Sequence, residues 1–423
     1  MKKLAKSIVV AILGWQVRRL RKKQKFQVVA VAGSVGKTST KHAIATVLQQ
    51  KFRIQYQAGN YNDIVTVPLI FFGMDMPSLL NPIAWLATFI RIESQLRKPY
   101  PYDVVVVELG TDYPGNIPLF RKYLQADLAV LTAISAEHME FFKDIDEVAA
   151  EELSVAQLSN KLIVNMDLIA PAYRAQVKVD ASYGLNDAAD YVIDADGTFK
   201  VTYNGQPVVT GITGIGHGPQ RYSLGAATAV SHLLGLTPEE INVGLRTVQP
   251  MSGRGQRLAG INGSTIIDDT YNASPEAVKA ALDFLYQEKA TQKIAILGNM
   301  NELGAYSEAA HREAGAYCDP AKVNLVLTLG PDANKFLAPA AKAKGCEVRS
   351  YDSPYVLAAD LAELIKPGAL ILAKGSQNRV FAEEAIKPLL ANPQDQVKLV
   401  RQSKAWIKIK ERQFGKPEPK TKS

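Results

Sequence analysis

One short segment near the start of the chain constrains the fold more than any other. Gln27 to Ala32 is a Val-rich apolar run that predicts a β-strand, and a helix is predicted from Thr38 to Gln50. A strand, a glycine-containing loop and a helix in this order form the context of a phosphate-binding loop. The candidate loop residues are Gly33, Ser34, Val35, Gly36, Lys37, Thr38 and Ser39.

The residue types in this loop suit a bound polyphosphate. Backbone N–H groups at the loop and at the helix N-terminus can point at an anion, Lys37 adds a positive charge, and the Thr38 hydroxyl can bind Mg²⁺. Val31 stands where the eight-residue pattern has glycine, so this is a shortened Gly-x-x-Gly-Lys-Thr form. The alternative is an ordinary glycine turn before a helix, which would not explain Lys and Thr directly after the second glycine. We therefore expect ATP and Mg²⁺ as cofactors.

Composition sets broad limits on the class of protein. A chain of 423 residues predicts two or more domains, and 47% apolar with 21% charged residues is typical of a soluble globular protein. Cys318 and Cys346 form no Cys-x-x-Cys pair, so we expect no zinc site and no disulfide framework. A reducing cytoplasm is the simplest setting.

Positive charge is concentrated at the two ends of the chain. Residues 1–25 contain nine Lys or Arg and no acid, and residues 396–423 contain nine Lys or Arg and two Glu. These ends sum to +16, which leaves about −8 for the middle of a chain whose net charge is +8. Basic ends beside apolar residues fit an anionic membrane surface better than nucleic acid, which would need basic and aromatic residues on one folded face. We expect no nucleic-acid partner and a monomer.

The N-terminal segment predicts a basic amphipathic helix. Its apolar stretch, 8–15, is too short to span a bilayer and has no small-residue cleavage site. Leu4, Ile8, Ile12 and Trp15 would share a helix face, which favours an interfacial helix on the cytoplasmic leaflet. The alternative is a helix packed on the next domain.

The remaining pattern predicts an α/β protein. The run 103–110 is continuously apolar up to Glu108, as in a strand of a buried parallel sheet, and a carboxylate at that strand end lies where α/β sheets bind ligands. The stretch 79–90 predicts a helix that is buried or faces a membrane, with burial favoured. Further strands are predicted at 127–134, 161–165, 264–269, 293–298, 324–330 and 369–373, with helices at 144–159 and 222–234 and a small antiparallel patch over 180–215.

Four segments follow from this pattern. A central P-loop-type parallel-sheet ATPase domain is expected over 27–250, followed by a Rossmann-like C-terminal α/β domain over 251–392. The basic N-terminal helix occupies 1–26 and a basic C-terminal tail occupies 393–423.

Five stretches in order resemble the Mur ligase superfamily, and within it the MurF-type branch. The similarity runs from about Gln27 to about Leu390. Any one stretch is weak, whereas all five in this order are specific. They are Gly33 to Ser39; Gly59-Asn60-Tyr61-Asn62; Glu108-Leu109-Gly110 with Pro114-Gly115; Asp268-Asp269-Thr270-Tyr271-Asn272-Ala273-Ser274-Pro275; and Gly298-Asn299-Met300-Asn301-Glu302-Leu303-Gly304 with Lys374-Gly375-Ser376.

The resemblance implies an ATP-dependent ligation. A substrate carboxylate is phosphorylated, an amine attacks the acyl phosphate, and an amide, ADP and phosphate result. The implied partners are the peptidyl carboxylate of a peptidoglycan precursor and an amino acid or dipeptide amine such as D-alanyl-D-alanine. Such a site must neutralise several negative charges during phosphoryl transfer.

The resemblance also implies roles for individual residues. Lys37 would contact the β and γ phosphates, Thr38 and Glu108 would hold one Mg²⁺, and His138 would hold a second. A lone His is more often structural, and only its place after the predicted strand 127–134 favours the metal role. Many Mur ligases have a carbamylated lysine at the position of Glu152, so we hypothesise that this glutamate is a metal ligand. The alternative is a solvated acidic helix face.

Nucleotide contacts are implied at four further positions. Gln220 stands before the Ala-rich helix where the family has an asparagine that contacts adenine, and His217 is the rival for that place. Arg254 resembles the arginine that contacts phosphates on domain closure. Asp269 and Asn272 resemble residues that face the nucleotide, although turn chemistry after a strand would also explain them.

The sequence departs from the MurF-type pattern at its beginning. Only about 26 residues precede the first strand, where a full MurF has a domain that binds the uridine nucleotide. We expect either a different domain or a lipid-linked precursor, with the protein cytoplasmic and peripheral on the inner face of the cell membrane. Two other functions stay open: a Mur-like ligase that makes poly-γ-glutamate or a cofactor amide, and a catalytically weak ATP-binding scaffold. A P-loop motor or GTPase would give the second α/β domain no role.

Overall fold

A computed structural model describes residues 2–59, 61–194, 197–215 and 218–415. Asn60 and His217, both singled out above, lie outside these ranges. The chain divides into two compact units. The first contains residues 1–135 and 141–248, and the second contains residues 136–140 and the chain from 249 onwards. Each unit is built on a largely parallel sheet, so the predicted α/β class is confirmed.

The sheet of the first unit has nine strands in the order β2-β3-β1-β4-β5-β6-β7-β8-β9. Pairing is parallel from β2 to β7 and antiparallel from β7 to β9. The antiparallel part therefore extends the same sheet, and its β8–β9 hairpin turns at Asn204 and Gly205, both with positive φ. The strands are β1 (Gln27–Ala32), β2 (Ile54–Tyr56), β3 (Val104–Glu108), β4 (Ala126–Leu131), β5 (Ser159–Asn165), β6 (Ala181–Gly184), β7 (Tyr191–Asp194), β8 (Phe199–Tyr203) and β9 (Gln206–Ile212).

Helices cover both faces of this sheet. Alternate residues of β1 enter different cores: Val28 lies in a core with one set of helices and Val29 in a core with another. This two-sided burial explains the unbroken valine runs of the central strands. The helices are α1 (Lys2–Lys23), α2 (Lys37–Leu48), α3 (Thr66–Ile70), α4 (Pro82–Gln95), α5 (Asn116–Leu119), α6 (Ile145–Leu153), α7 (Pro171–Arg174), α8 (Gln220–Leu233) and α9 (Pro238–Thr247).

The N-terminal helix α1 is part of the first unit. Val9, Leu13 and Val17 are buried in the core beneath it, which is the packing that the sequence analysis held as the alternative. Ile8 and Trp15 of the predicted lipid-facing side remain about half exposed. No helix among the described residues is long and apolar enough to cross a membrane.

Helix α4 corrects the expectation of burial over 79–90. Trp85 and Ile92 are buried, but Ile83, Leu86 and Ile90 are exposed. Hydropathy alone indicates an apolar helix and cannot tell which of its faces has a neighbour.

The second unit has a six-stranded sheet in the order β10-β11-β15-β12-β13-β14, parallel except for the β10–β11 pair. Its strands are β10 (Gln256–Ala259), β11 (Thr265–Asp269), β12 (Lys293–Gly298), β13 (Leu325–Leu329), β14 (Val348–Tyr351) and β15 (Leu370–Lys374). Its helices are α10 (Pro275–Gln287), α11 (Ser307–Ala316), α12 (Ala338–Ala343), α13 (Pro354–Leu364), α14 (Ala382–Ile386) and α15 (Lys404–Phe414).

Helix α15 lies in the segment that the sequence analysis assigned to a basic tail. Lys410 of α15 is buried and pairs with Glu383 at 2.9 Å and Glu384 at 2.7 Å. Arg401, just before α15, pairs with Glu383 at 2.7 Å. Part of the terminal positive charge is therefore neutralised inside the second unit.

Candidate active site

The glycine loop lies at the carboxyl end of β1, at the centre of the first sheet. Its neighbours β3 and β4 are on opposite sides, so the loop is at a topological switch point, where α/β sheets bind ligands. Gly33 (φ 123°) and Gly36 (φ 86°) adopt conformations that favour glycine. A Cβ on Gly33 would lie 2.3 Å from Thr132 Oγ1, so no larger residue fits there without displacement. The predicted strand, loop and helix are all present, with α2 beginning at Lys37.

Hydrogen bonds from the end of β4 hold this loop. Ser34 N donates to the Ala133 carbonyl oxygen at 2.9 Å, and Ser135 N donates to Ser34 Oγ at 3.0 Å. Thr132 Oγ1 donates to the Val35 carbonyl oxygen at 2.6 Å. The loop conformation is thus fixed by protein contacts, which lowers the cost of ordering it around an anion.

Lys37 and its neighbours form the first turn of α2. Lys37 Nζ donates to the carbonyl oxygens of Gly33 and Ser34, so the ammonium group lies against the loop. Thr38 is buried, and Ser39 follows it in the same turn. These positions combine the helix N-terminus with a cation, as a phosphate site requires.

Thr38 and Glu108 meet at the adjacent ends of β1 and β3. Thr38 Oγ1 is 3.3 Å from Glu108 Oε1, and Asn62 Nδ2 donates to the same oxygen at 3.2 Å. Lys41 Nζ lies 3.1 Å from Glu108 Oε2 and donates to the Gly59 carbonyl oxygen at 2.9 Å. The Lys41 and Glu108 side chains are almost fully buried, at 0% and 2% exposure.

This donor set fits Mg²⁺. A hydroxyl and a carboxylate are the hard oxygen ligands that this ion prefers, and proteins commonly bind it through one or two carboxylates, with phosphates and waters completing the shell. In the described part of the chain, no group of three or more His, Cys, Asp or Glu residues could hold a metal ion. Thr38 and Glu108 would therefore need the oxygens of a bound phosphate, which is the usual situation for Mg²⁺ at a nucleotide.

Glu151 and Glu152 on α6 are buried, so the alternative of a solvated acidic face is wrong. Glu152 Oε2 accepts a hydrogen bond of 2.7 Å from Gly33 N, which joins α6 to the glycine loop. Glu151 accepts bonds of 2.6 Å from the backbone N–H groups of Gly115 and Ile117. Glu152 thus replaces solvent as an acceptor for an amide of the glycine loop, and Glu151 does so for amides at the start of α5. A metal role for Glu152 stays a prediction.

Gln220 begins helix α8, which packs against α2. Thr40 Oγ1 of α2 donates to Ser223 Oγ of α8 at 3.2 Å, so the two helices are joined one turn from the glycine loop. The adenine contact of Gln220 stays a prediction.

His138 belongs to the second unit, in the short segment 136–140. Its Nδ1 lies 2.8 Å from Glu302 Oε2, and Glu140 N donates to the Glu302 carbonyl oxygen at 3.2 Å. The hydrogen bond with His138 lowers the pKa of Glu302 even though burial opposes this shift. Both His138 and Glu302 have positive φ, at 56° and 64°. A carboxylate on one ring nitrogen is the usual orienting partner of a histidine that binds metal through the other.

Arg254 stacks on a tyrosine from the Asp-Asp-Thr-Tyr-Asn motif. Its Cζ is 3.9 Å from the ring centroid of Tyr271, and Tyr271 N donates to the Gly253 carbonyl oxygen at 3.0 Å. Gly253 N donates in turn to Asp268 Oδ2 at 3.1 Å. Burial raises the pKa of Asp268 to about 6, against hydrogen bonds from Thr270 that lower it.

Asp269 and Asn272 are linked by a buried lysine. Lys374 Nζ is 2.7 Å from Asp269 Oδ2 and donates to the Asn272 carbonyl oxygen at 3.0 Å. Asp269 and Lys374 are partners in the parallel β11–β15 register. The motif after β11 and the Lys-Gly-Ser motif after β15 therefore meet at one edge of the sheet, and the ion pair goes beyond simple turn chemistry.

The sequence analysis assigned no role to several residues in these clusters, among them Lys374, Glu302, Lys41 and Arg401. Lys374 and Glu302 are charged residues inside motifs already singled out, so the sequence did offer a signal that they belong to the site. Lys41 is one helical turn after Lys37 and lies outside the glycine-loop motif. Arg401 donates to the Thr270 carbonyl oxygen at 2.6 Å but is far from Thr270 in sequence, so neither residue had a local signal.

Two family models match the chain. Residues 31–216 match the Mur ligase middle domain, and residues 253–377 match the Mur ligase, glutamate ligase domain. A UDP-N-acetylmuramoyl-tripeptide–D-alanyl-D-alanine ligase of Bacillus subtilis is 29% identical, over 87% of this chain and 76% of that protein. The ligase of the same name from Synechocystis is 28% identical, over 90% and 77% respectively.

A solved structure shows the same fold. The MurF ligase from Thermotoga maritima in complex with ADP superposes with a TM-score of 0.73 at 24% identity, covering 89% of this chain and 82% of that one.

Proposed function

The chain belongs to the Mur ligase family and is an ATP- and Mg²⁺-dependent ligase, and we propose that it joins D-alanyl-D-alanine, or a similar amine, to a peptidyl carboxylate of a peptidoglycan precursor. One observation carries the choice of substrates. Over 87% of its length the chain is similar to a relative named for this reaction. In the proposed reaction the carboxylate accepts the γ-phosphoryl group of ATP, the amine attacks the acyl phosphate, and the amide forms as phosphate leaves.

The first unit would bind the phosphates. The fixed amides of the glycine loop and the Lys37 ammonium offer positive charge where the transferred group is most negative. Thr38 and Glu108 would hold Mg²⁺, which when bound neutralises phosphate oxygens. Lys41 forms an ion pair with Glu108 and so balances the negative charge of that buried carboxylate.

In the second unit, we propose a metal contact for one residue and nucleotide contacts for three. These are His138 for the metal, and Arg254, Asp269 and Asn272 for the nucleotide. The contact between His138 and Glu302 supports a metal role, because it would orient the imidazole. The stacking of Arg254 on Tyr271 supports a phosphate role, because it fixes the plane of a guanidinium group whose geometry suits phosphate. Lys374 holds Asp269 and the Asn272 backbone in place.

We also propose that the protein is cytoplasmic and monomeric, with peripheral contact to an anionic membrane through residues 1–25. The basic composition of that segment supports the membrane contact.

A phosphate-release assay tests the proposed reaction. The purified protein is given ATP, Mg²⁺ and a peptidoglycan-precursor tripeptide, with D-alanyl-D-alanine, glutamate or ammonia as the amine. We expect release that needs both carboxylate and amine and is fastest with D-alanyl-D-alanine. Preference for glutamate or ammonia would instead favour ligation in another pathway, and no coupled release with any pair would favour the scaffold.

Lys37→Ala provides the matching variant. We expect it to lower ligation by at least about a hundredfold, because it removes a charge that acts on the transferred phosphoryl group. Lys143→Ala is the control, since the Lys143 side chain is 86% exposed in the same unit. If Lys37→Ala ligated as fast as Lys143→Ala, the phosphate role of the loop would be wrong.

A further inference from the structure

The first unit exposes a row of large apolar side chains that its own fold does not use. Ile83, Leu86 and Ile90 of α4 are 79%, 59% and 60% exposed. Leu79 and Leu80, just before α4, are 43% and 72% exposed. A helix on the surface of a globular protein normally has polar residues on its solvent side, so this arrangement needs a separate explanation.

The opposite side of α4 already supplies the packing that holds the helix. Trp85 is 4% exposed and Ile92 is fully buried, both in the core of the first unit. Asn81 caps the helix by accepting a hydrogen bond from Ala84 N at 3.0 Å. The exposed row is therefore on a fixed helix and is not a frayed segment.

Helix α1 continues the exposed apolar surface. Ile8 and Trp15 are 52% and 49% exposed, and they share one side of α1 with Arg19. Arg19 pairs with Glu93 of α4 at 2.7 Å, and Gln16 Nε2 donates to the same carboxylate at 3.1 Å. These contacts place that side of α1 directly beside α4. We name the combined surface the α1/α4 face; its members are Ile8, Trp15, Leu79, Leu80, Ile83, Leu86 and Ile90.

The charges around the α1/α4 face are mostly positive. Residues 1–25 contain nine Lys or Arg and no acid, and Lys22 and Lys23, which follow Trp15 and Arg19 by seven and four residues, are exposed on the same side of α1. Arg91 and Lys98, in and after α4, are also exposed. Apolar side chains bordered by lysine and arginine are the combination that binds the boundary of an anionic bilayer, and tryptophan is enriched at that depth.

We propose that the α1/α4 face docks on an anionic phospholipid bilayer, with its apolar side chains among the headgroups and its lysines and arginines on the lipid phosphates. A second copy of this chain is a poorer occupant, because a self-complementary contact would bring two positive surfaces together. The proposal locates the membrane contact on two packed helices, α1 within the basic segment 1–25 and α4 within the stretch 79–95, for which the sequence analysis left membrane contact as the less favoured alternative to burial over 79–90. It does not depend on which amine the ligase uses.

Vesicle flotation tests this proposal with the full chain. Deletion of residues 1–25 is unsuitable, because Leu13 and Val17 of α1 are fully buried and their loss would damage the core. The test variant is instead I83N/L86N/I90N, which changes only exposed side chains. The control is Val243→Asn, since Val243 is 52% exposed on α9 of the same unit, outside the α1/α4 face.

We expect the parent and Val243→Asn to float with vesicles of phosphatidylcholine mixed with phosphatidylglycerol, and not with phosphatidylcholine alone. The triple variant should bind at least about tenfold more weakly, because each replaced side chain loses its transfer into the apolar region. A charge variant, K22Q/K23Q, should weaken binding and reduce its sensitivity to salt.

Three results would overturn the proposal: no flotation of the parent, equal flotation of the parent and the triple variant, or binding that ignores lipid charge. Light scattering identifies the rival occupant, because a dimer of the parent that the triple variant converts to a monomer would assign the face to self-association. Phosphate release in vesicle-free solution shows that each variant is folded, and flotation itself needs no ligase activity.

Discussion

Lys410 allows the sharpest test of how the second unit is held together. Its Nζ lies 2.9 Å from Glu383 Oε1 and 2.7 Å from Glu384 Oε1, and it donates to the Arg401 carbonyl oxygen at 2.8 Å. Both carboxylate partners are buried or nearly so. Lys410→Met would keep most of the apolar stem and remove only the cation, leaving Glu383 paired with Arg401 at 2.7 Å and Glu384 with Lys387 at 3.6 Å.

The expected cost follows from this geometry. Removing one partner of a buried ion pair destabilises a protein by about 3–5 kcal/mol, because the remaining charge stays buried without compensation. Arg401 still pairs with Glu383, so we expect a value near the lower end, about 3 kcal/mol. With a urea dependence of about 2 kcal/mol per molar, the midpoint of unfolding should fall by about 1.5 M.

Urea unfolding of the full chain measures this cost, and Lys408→Met is the matched control. Lys408 is on the same helix but exposed, so its replacement should change the free energy of unfolding by less than about 0.5 kcal/mol. If the two variants unfolded at the same urea concentration, the segment after residue 392 would not be folded into the second unit and the reasoning would fail.

The same variant has a pH signature. Burial raises the pKa of Glu384, but the hydrogen bond and charge of Lys410 outweigh it and hold the pKa below its ordinary value of 4.5. The stability from this pair is therefore present above pH 4.5 and is lost as pH falls through the lowered pKa. The difference between parent and Lys410→Met should accordingly shrink in acid. Ligase activity should also fall, because Lys410 holds the backbone of Arg401. Arg401 in turn donates to the carbonyl oxygens of Thr270 and Tyr271, and Arg254 stacks on the Tyr271 ring.

Three further predictions use the same assays. Glu152→Ala should cost about 1–3 kcal/mol by leaving Gly33 N without its acceptor, whereas Glu152→Gln should retain most of that stability; a raised Mg²⁺ requirement for ligation in Glu152→Gln would support the metal role, and an unchanged one would exclude it. Lys41→Met should destabilise the metal-free protein by about 3 kcal/mol and increase the thermal shift produced by Mg²⁺ with ADP, because Glu108 loses its cation; equal shifts in variant and parent would contradict this. The stability contributed by protonated Asp268 is present below pH 3.8 and lost as pH rises through about 6, so Asp268→Asn should flatten the free energy of unfolding across that window, measured by urea titrations at several pH values.

The sheet strands and the glycine loop could be predicted because their signals are local. The predicted bounds of β1 and β12 are those observed, since a buried parallel strand is a short apolar run with polar residues at its end. Thr38 and Glu108 could also be brought together from sequence. The family resemblance implied this pairing, and the structure brings the two residues together because β1 and β3 are adjacent parallel strands, in which Val31 pairs with Glu108.

The ion pairs could not be predicted, because each joins residues far apart in sequence. Lysines in the chain's last segment were counted as solvent-exposed charge, yet Lys410 is fully enclosed and satisfied by two glutamates. Glu151 and Glu152 were weighed as a solvated face, but their partners are amides of loops that come near only in the folded unit. The prediction of burial for α4 was wrong for a related reason. An apolar helix suggests burial, but the sequence does not show which of its sides has a neighbour.

Both units pair a carboxylate at the end of a sheet strand with a buried lysine. Glu108 is paired with Lys41 at 3.1 Å, and Asp269 is paired with Lys374 at 2.7 Å, both at the carboxyl end of a parallel strand. A buried carboxylate without a partner would be protonated or would destabilise its unit, so a neighbouring lysine keeps the site charged and folded before any ligand binds. In the function proposed above, a phosphate would attract Lys41 and Mg²⁺ would bind the Glu108 carboxylate, so each ligand would replace one half of the contact between these two side chains.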